Sequence, residues 1–156
     1  MEDSHFFVIA RALHVIAVVL WIGGVAFVTT VLIPAIRNSP SLENRLSLFE
    51  TLEGRFSFQA KFTTLITGLS GFYMLYVMNA WSSMQWWVYL MIFIWAIFTA
   101  VLFVLEPLFL HKWFHRQAKI DSGKALFFIQ NMHIALLSIS LVAVFGGVAG
   151  VHGLFY

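Results

Sequence analysis

Cysteine is absent from the chain, and charge is scarce, with only 10% of residues Asp, Glu, Lys or Arg, against roughly 25% in an ordinary soluble domain. The first absence excludes disulfides, thiolate metal sites, iron–sulfur clusters and covalent c-type haem attachment. The second, set beside 61% apolar residues, excludes a soluble globular domain, a disordered chain and a nucleic-acid binder. Phosphate-cradling glycine loops and nucleophile–base motifs are lacking as well. What the 156 residues do hold is long apolar runs. One domain is expected, and it belongs in a membrane.

A transmembrane helix takes about 20 consecutive apolar residues. Four stretches qualify, at about 6–36, 58–80, 86–110 and 125–155, and none alternates as a barrel strand would. The first is too long and too acidic at its start for a cleaved leader, and reads as a retained span. The fold expected is all-α, an integral membrane antiparallel four-helix bundle. Ser39-Pro40 offers a helix start, and Leu42, Leu46, Phe49, Leu52 and Phe56 recur at helical spacing. They predict a separate amphipathic segment at about 40–56 on the cytoplasmic surface.

Charge placement predicts the topology. Arg37, Arg45, Arg55 and Lys61 fall between the first two spans or beside them, and Lys112, Arg116, Lys119 and Lys124 between the last two. Eight of the nine basic residues thus share one side, and cytoplasmic loops carry the Lys/Arg excess. Both termini are then periplasmic or otherwise extracytoplasmic, and the membrane is a bacterial inner membrane. Trp81, Trp86 and Trp87 form an aromatic belt at the outer boundary.

Ionisable groups within spans are costly and mark function by default. Of six histidines, His14, His111, His133 and His152 lie in spans or at their ends. Histidine without cysteine suits haem b, or copper with help from methionine. His133 and His152 are 19 residues apart, which is about 28 Å along a helix, so they serve different sites. His14 with His152 or Met74 is expected near the outer face, and His111 with His133 near the inner face. That gives one or two haems, with Arg55 pairing a propionate or Glu106. His111 and His115 stand four apart and present a rim chelate as a weaker signal. Glu106, just before Pro107 inside the third span, is expected to relay protons, to partner Arg55 or His133, or to reach the inner interface. Pro107 is expected to kink its helix. Gly68, Gly71, Gly146 and Gly150 mark either close helix packing or room for a flat macrocycle beside a histidine. Met74 and Met78, four apart, belong to the copper reading.

The residues 12–24, Ala-Leu-His-Val-Ile-Ala-Val-Val-Leu-Trp-Ile-Gly-Gly, resemble the opening helix of the CopD-like membrane domain. They are also similar to the first helix of HemJ, a haem-dependent membrane protoporphyrinogen oxidase family. Arg55-Phe56-Ser57 with Thr67-Gly68 resembles the second CopD-like helix, and the runs 102–111 and 148–153 resemble short stand-alone members of that group. The CopD-like resemblance implies copper handling. The HemJ resemblance implies haem b on His14 and oxidation of protoporphyrinogen. Three function classes follow: a haem b protein transferring electrons, a copper-handling protein, and a non-catalytic membrane subunit. Expected partners are the lipid bilayer, a quinone or membrane redox protein, and a second copy of the chain.

Overall fold

The computed structural model describes the backbone of residues 2–38 and 41–155, with side chains except at 2–4, 42–44, 46, 109–111, 113–115, 118–119 and 122. These residues are helical nearly throughout and include no strand. Helix α1 (Glu2–Phe27) passes through a π-helical stretch, Val28–Leu32, into the short α2 (Ile33–Arg37). Helix α3 (Leu42–Val77) follows, then a single 3₁₀ turn at Ala80–Ser82 and α4 (Trp86–Ala100). A second π-helical stretch, Val101–Leu110, joins α4 to α5 (His111–Val151).

Three helical stretches are long and apolar enough to cross a membrane: His5–Arg37, Trp86–Leu108 and Gly123–Val151. The stretch expected at 58–80 is not among them. Most of it is the C-terminal part of α3, where Lys61 and a run of Thr and Ser residues lower its mean hydropathy. The amphipathic segment expected at 40–56 is not a separate helix either. It is continuous with α3, because nothing between Leu42 and Val77 breaks the helix. The Ser39-Pro40 start lies outside the described residues.

The basic loop expected between the last two spans is helical too. Within α5, non-helical backbone angles fall at Asp121 (φ −152°, ψ 94°). There the Asp121 carboxylate accepts the Lys124 backbone N–H at 3.0 Å, the N-cap arrangement that satisfies an orphan donor at a helix start. That bond, with Lys124 Nζ 3.4 Å from the other oxygen, holds the Asp121 carboxyl below its ordinary pKa. A depressed carboxyl pKa contributes stability that is present above the unfolded value and lost as pH falls through the folded one. The Lys124 amide is therefore expected to exchange faster with deuterium as pH drops below the usual carboxylate range, after correction for intrinsic rates. In Asp121→Asn, whose cap does not titrate, that extra acceleration is expected to vanish.

Both π-helical stretches accompany proline. Pro34 has no N–H to offer the carbonyls four and five residues back. Ile33 N–H bonds the Val28 carbonyl across the wide turn, and Gln130 Nε2 donates to the Thr29 carbonyl at 3.3 Å. Arg37 donates to Gln130 Oε1 at 2.8 Å, tying the Arg37 end of the first span to α5. Pro107 lies inside the second π stretch, so its effect is a widened helix.

Two clusters form the core. Val28, Ile33, Ile36, Phe49, Ala125 and Leu126 join the Arg37 end of the first span to α3 and α5. Trp21, Ile22, Val25, Ile94, Phe98 and Leu137 fill the middle. Gly24 meets Phe56, whereas His14 meets Gly71, so contacts advance along α1 as they retreat along α3. Phe58, Leu69, Phe145 and Val148 point outward and are more than half exposed, as lipid-facing side chains are.

The glycines are occupied by side chains. A Cβ on Gly68 would lie 2.5–2.7 Å from the Trp95 indole, and one on Gly150 2.6–2.7 Å from the Trp87 ring. Gly146 packs on Trp86 and Trp87, and Gly147 on Met91. The space they leave is filled by indole and thioether, which corrects the idea of a macrocycle slot at these positions.

Candidate functional site

His14 sits midway along the first span, half-buried against α3. Its Nδ1 is 3.0 Å from the Thr67 carbonyl and 3.1 Å from Ser70 Oγ. A carbonyl only accepts, so Nδ1 carries the proton and donates. Ser70 spends its own hydrogen on the Ile66 carbonyl at 2.6 Å, which leaves its oxygen free to accept from the imidazole. The neutral ring is thereby fixed in the Nδ1–H tautomer, with the Nε2 lone pair uncommitted. Gly71 allows this approach, since a Cβ there would come within 3.1 Å of the ring. Metal-ligating histidines carry this kind of outer bond to a carbonyl, which sets both tautomer and ring plane. Met74 is half-buried one helical turn beyond Ser70, on the same face of α3.

A second polar centre lies between α3 and the Val101–Leu110 stretch. Ser57 Oγ is 2.6 Å from both Glu106 oxygens, and Lys61 Nζ donates to Glu106 Oε1 at 3.1 Å. This corrects the expectation that Arg55 pairs with Glu106. Lys61 is four residues beyond Ser57 and shares its helix face, whereas Arg55, two residues before Ser57, points elsewhere and is exposed. Glu106 borders a cleft of about 110 Å³ with Ser57, Phe49, Met132 and His133 around it. Glu106 and His133 both line this cleft, but the hydrogen bonds of Glu106 run to Ser57 and Lys61. His133 Nδ1 donates to the Ile129 carbonyl at 2.9 Å, leaving its Nε2 uncommitted as well.

The remaining candidates are spread out. His152 is exposed just past α5, its Nδ1 donating to the Val148 carbonyl at 2.7 Å. The side chains of His111 and His115 lie outside the described residues. Met78 is 62% exposed beyond the end of α3. The ring bonds of His14, His133 and His152 run to carbonyls and, for His14, to the Ser70 hydroxyl as well, not to one another. Among the described residues, no group of three or more His, Cys, Asp or Glu is gathered to hold a metal ion.

Sequence reasoning missed one feature altogether. Ser57, Thr63, Thr64, Thr67 and Ser70 are all buried, and they form a hydroxyl stripe on the inward face of α3 between the Glu106 centre and His14. The signal was the recurrence of positions 57, 64, 67 and 70, seven and then three residues apart, which keeps side chains near one helix face, with Thr63 beside them.

No family model, no curated protein and no solved structure matches the chain.

Proposed function

We propose that the chain is an integral membrane haem b protein with His14 as an axial ligand, and that it carries electrons in the manner of a b-type cytochrome. The observation that carries this reading is the His14 tautomer. An imidazole inside an apolar span, with Nδ1–H bound to the Thr67 carbonyl, holds Nε2 as a pre-oriented donor of the kind haem iron takes. The donor set fits: imidazole is present and thiolate is lacking. Met74 is the nearest further donor by helix face, and His152 the alternative. His133 in the inner cleft is the residue for a second haem, with His111 its sequence-expected partner. Bound haem would supply a one-electron couple. The chain's own residues orient the ligand, keep water from it and place Glu106 and Lys61 at the inner end. A quinone or membrane protein is the class of redox partner.

In this reading α3 is the fourth crossing element and the molecule an antiparallel four-helix transmembrane bundle, its hydroxyl stripe turned inward. Both termini lie outside a bacterial inner membrane, as the basic residues direct. The test is the spectrum of the detergent-purified protein, oxidised and dithionite-reduced, with a pyridine haemochrome count. One or two haems b per chain are expected, and His14→Ala is expected to remove one of them. A flat spectrum from cells supplied with haem overturns the reading and turns attention to bound copper.

A further inference from the structure

The bend in α5 at Asp121 leaves a hollow of about 440 Å³, lined by Gln117 on one arm and by Lys124, Phe127, Phe128 and Asn131 on the other. The apolar stretches define its place. Gly123–Val151 begins one residue before Lys124, and His5–Arg37 ends at Arg37. The Arg37 guanidinium bonds Gln130 and stands 5.5 Å from the centre of the Phe127 ring. Two apolar stretches therefore end beside this hollow, each with a cation there. Gln117 lies before its stretch begins, and Phe127, Phe128 and Asn131 lie within it.

The lining is graded along the helix. The Lys124 side chain is 87% exposed, and its ammonium faces the Asp121 carboxylate at 3.4 Å. Arg37, Lys124 and Asp121 together leave one positive charge in excess, and basic pockets at the ends of spans take anionic headgroups. Phe127 and Phe128 are more than half exposed and form an apolar flank. Asn131 lies seven residues beyond Lys124, about 10 Å along the helix. Its exposed amide sits within an apolar stretch, where a polar group is costly without a polar partner. A ligand that suits the whole series carries hydroxyls, an anion, ester oxygens and a hydrocarbon tail, in that order.

We propose that this hollow binds one anionic phospholipid with a phosphoglycerol headgroup. The Gln117 amide takes the headgroup hydroxyls, Lys124 the phosphate and Asn131 an ester carbonyl, and an acyl chain runs along Phe127 and Phe128. The assignment rests on the reading of the chain as an integral membrane protein, and it is independent of haem.

The experiment is native mass spectrometry of the full chain, solubilised in a neutral detergent and titrated with phosphatidylglycerol or with phosphatidylcholine of the same acyl chains. One phosphatidylglycerol per chain is expected to bind about fivefold more tightly than phosphatidylcholine, the worth of one cation near a membrane surface. Lys124→Met is expected to abolish that preference. Asp121→Asn, which removes the competing carboxylate while an amide still caps the helix, is expected to raise it severalfold. Lys112→Met removes an exposed cation outside the hollow and is expected to leave the preference unchanged. Equal affinity for the two lipids overturns the proposal. So does a loss with Lys112→Met as large as that with Lys124→Met, which would make the attraction diffuse. Displacement of the lipid by an equal concentration of inorganic phosphate overturns it as well, since the hollow would then serve a free anion. Flotation of the chain with phosphatidylcholine vesicles tests the membrane reading by itself, and the haem spectrum tests the cofactor, so the three failures are distinguishable.

Discussion

Replacing Gly68 with alanine is expected to destabilise the fold by about 2–4 kcal/mol, since overpacking forces side chains off their positions and a hydrogen bond is lost with it. The added methyl would lie 2.5 Å from Trp95 Nε1, inside any permissible contact. Trp95 has little freedom to yield. Its Nε1 bonds the Thr64 carbonyl at 2.9 Å, and its ring stands edge-on to Phe72 with centroids 5.2 Å apart. Unfolding in graded denaturing detergent measures the loss. Adding Trp95→Phe to Gly68→Ala is expected to return part of the stability, because the smaller ring relieves the clash. A double variant no better than Gly68→Ala would show that the methyl strains something other than the indole.

The second large effect is at Glu106. Lys61→Met removes the cation 3.1 Å from a carboxylate whose side chain is 17% exposed. Stripping one partner from a buried pair costs about 3–5 kcal/mol, and the 32% exposure of Lys61 brings the expectation down to about 2–3 kcal/mol. Glu106→Gln in the Lys61→Met background is expected to recover most of it, since a neutral amide still accepts from Ser57 and leaves no bare charge. A double-mutant cycle on the detergent-solubilised protein measures the coupling. Arg55→Met is the control. Its side chain is exposed, and a shift of less than about 0.5 kcal/mol is expected for a surface position.

These two sites also show what the residues disclose before folding. Glu106 and His14 stand out because an ionisable side chain in an apolar run has no cheap explanation. Their partners do not stand out, because register between helices is a property of packing. Nothing within 12–24 says that His14 meets Thr67 rather than a residue of another span. Lys61 was legible only as a basic residue near a loop, and its pairing with Glu106 depends on α3 continuing without interruption past it. That continuity defeated the reading of a separate amphipathic segment. Charged side chains at 42–61 suggest surface loop, yet most are good helix formers, and the only glycine among them, Gly54, leaves the helix intact. The helical stretch after Leu110 misled in the same way, its charges signalling a loop where the turn itself is confined to Asp121. The glycines were legible as close-approach positions, but not as sockets for particular indoles.

α3 is 36 residues long, which is about 54 Å of unbroken helix where the hydrocarbon core measures about 30 Å. Its neighbours on either side in sequence each contain a widened, proline-associated turn, and it contains none. It therefore behaves as a rod among jointed members. Phe49 and Ser57 at the inner cleft and Thr67 and Ser70 at the histidine are mounted on the same shaft. A push or a quarter-turn applied at the Leu42 end of α3 has no hinge in which to dissipate. It arrives at the imidazole as a displacement of the Thr67 carbonyl, so one end of the helix holds mechanical leverage over a half-buried group far along it.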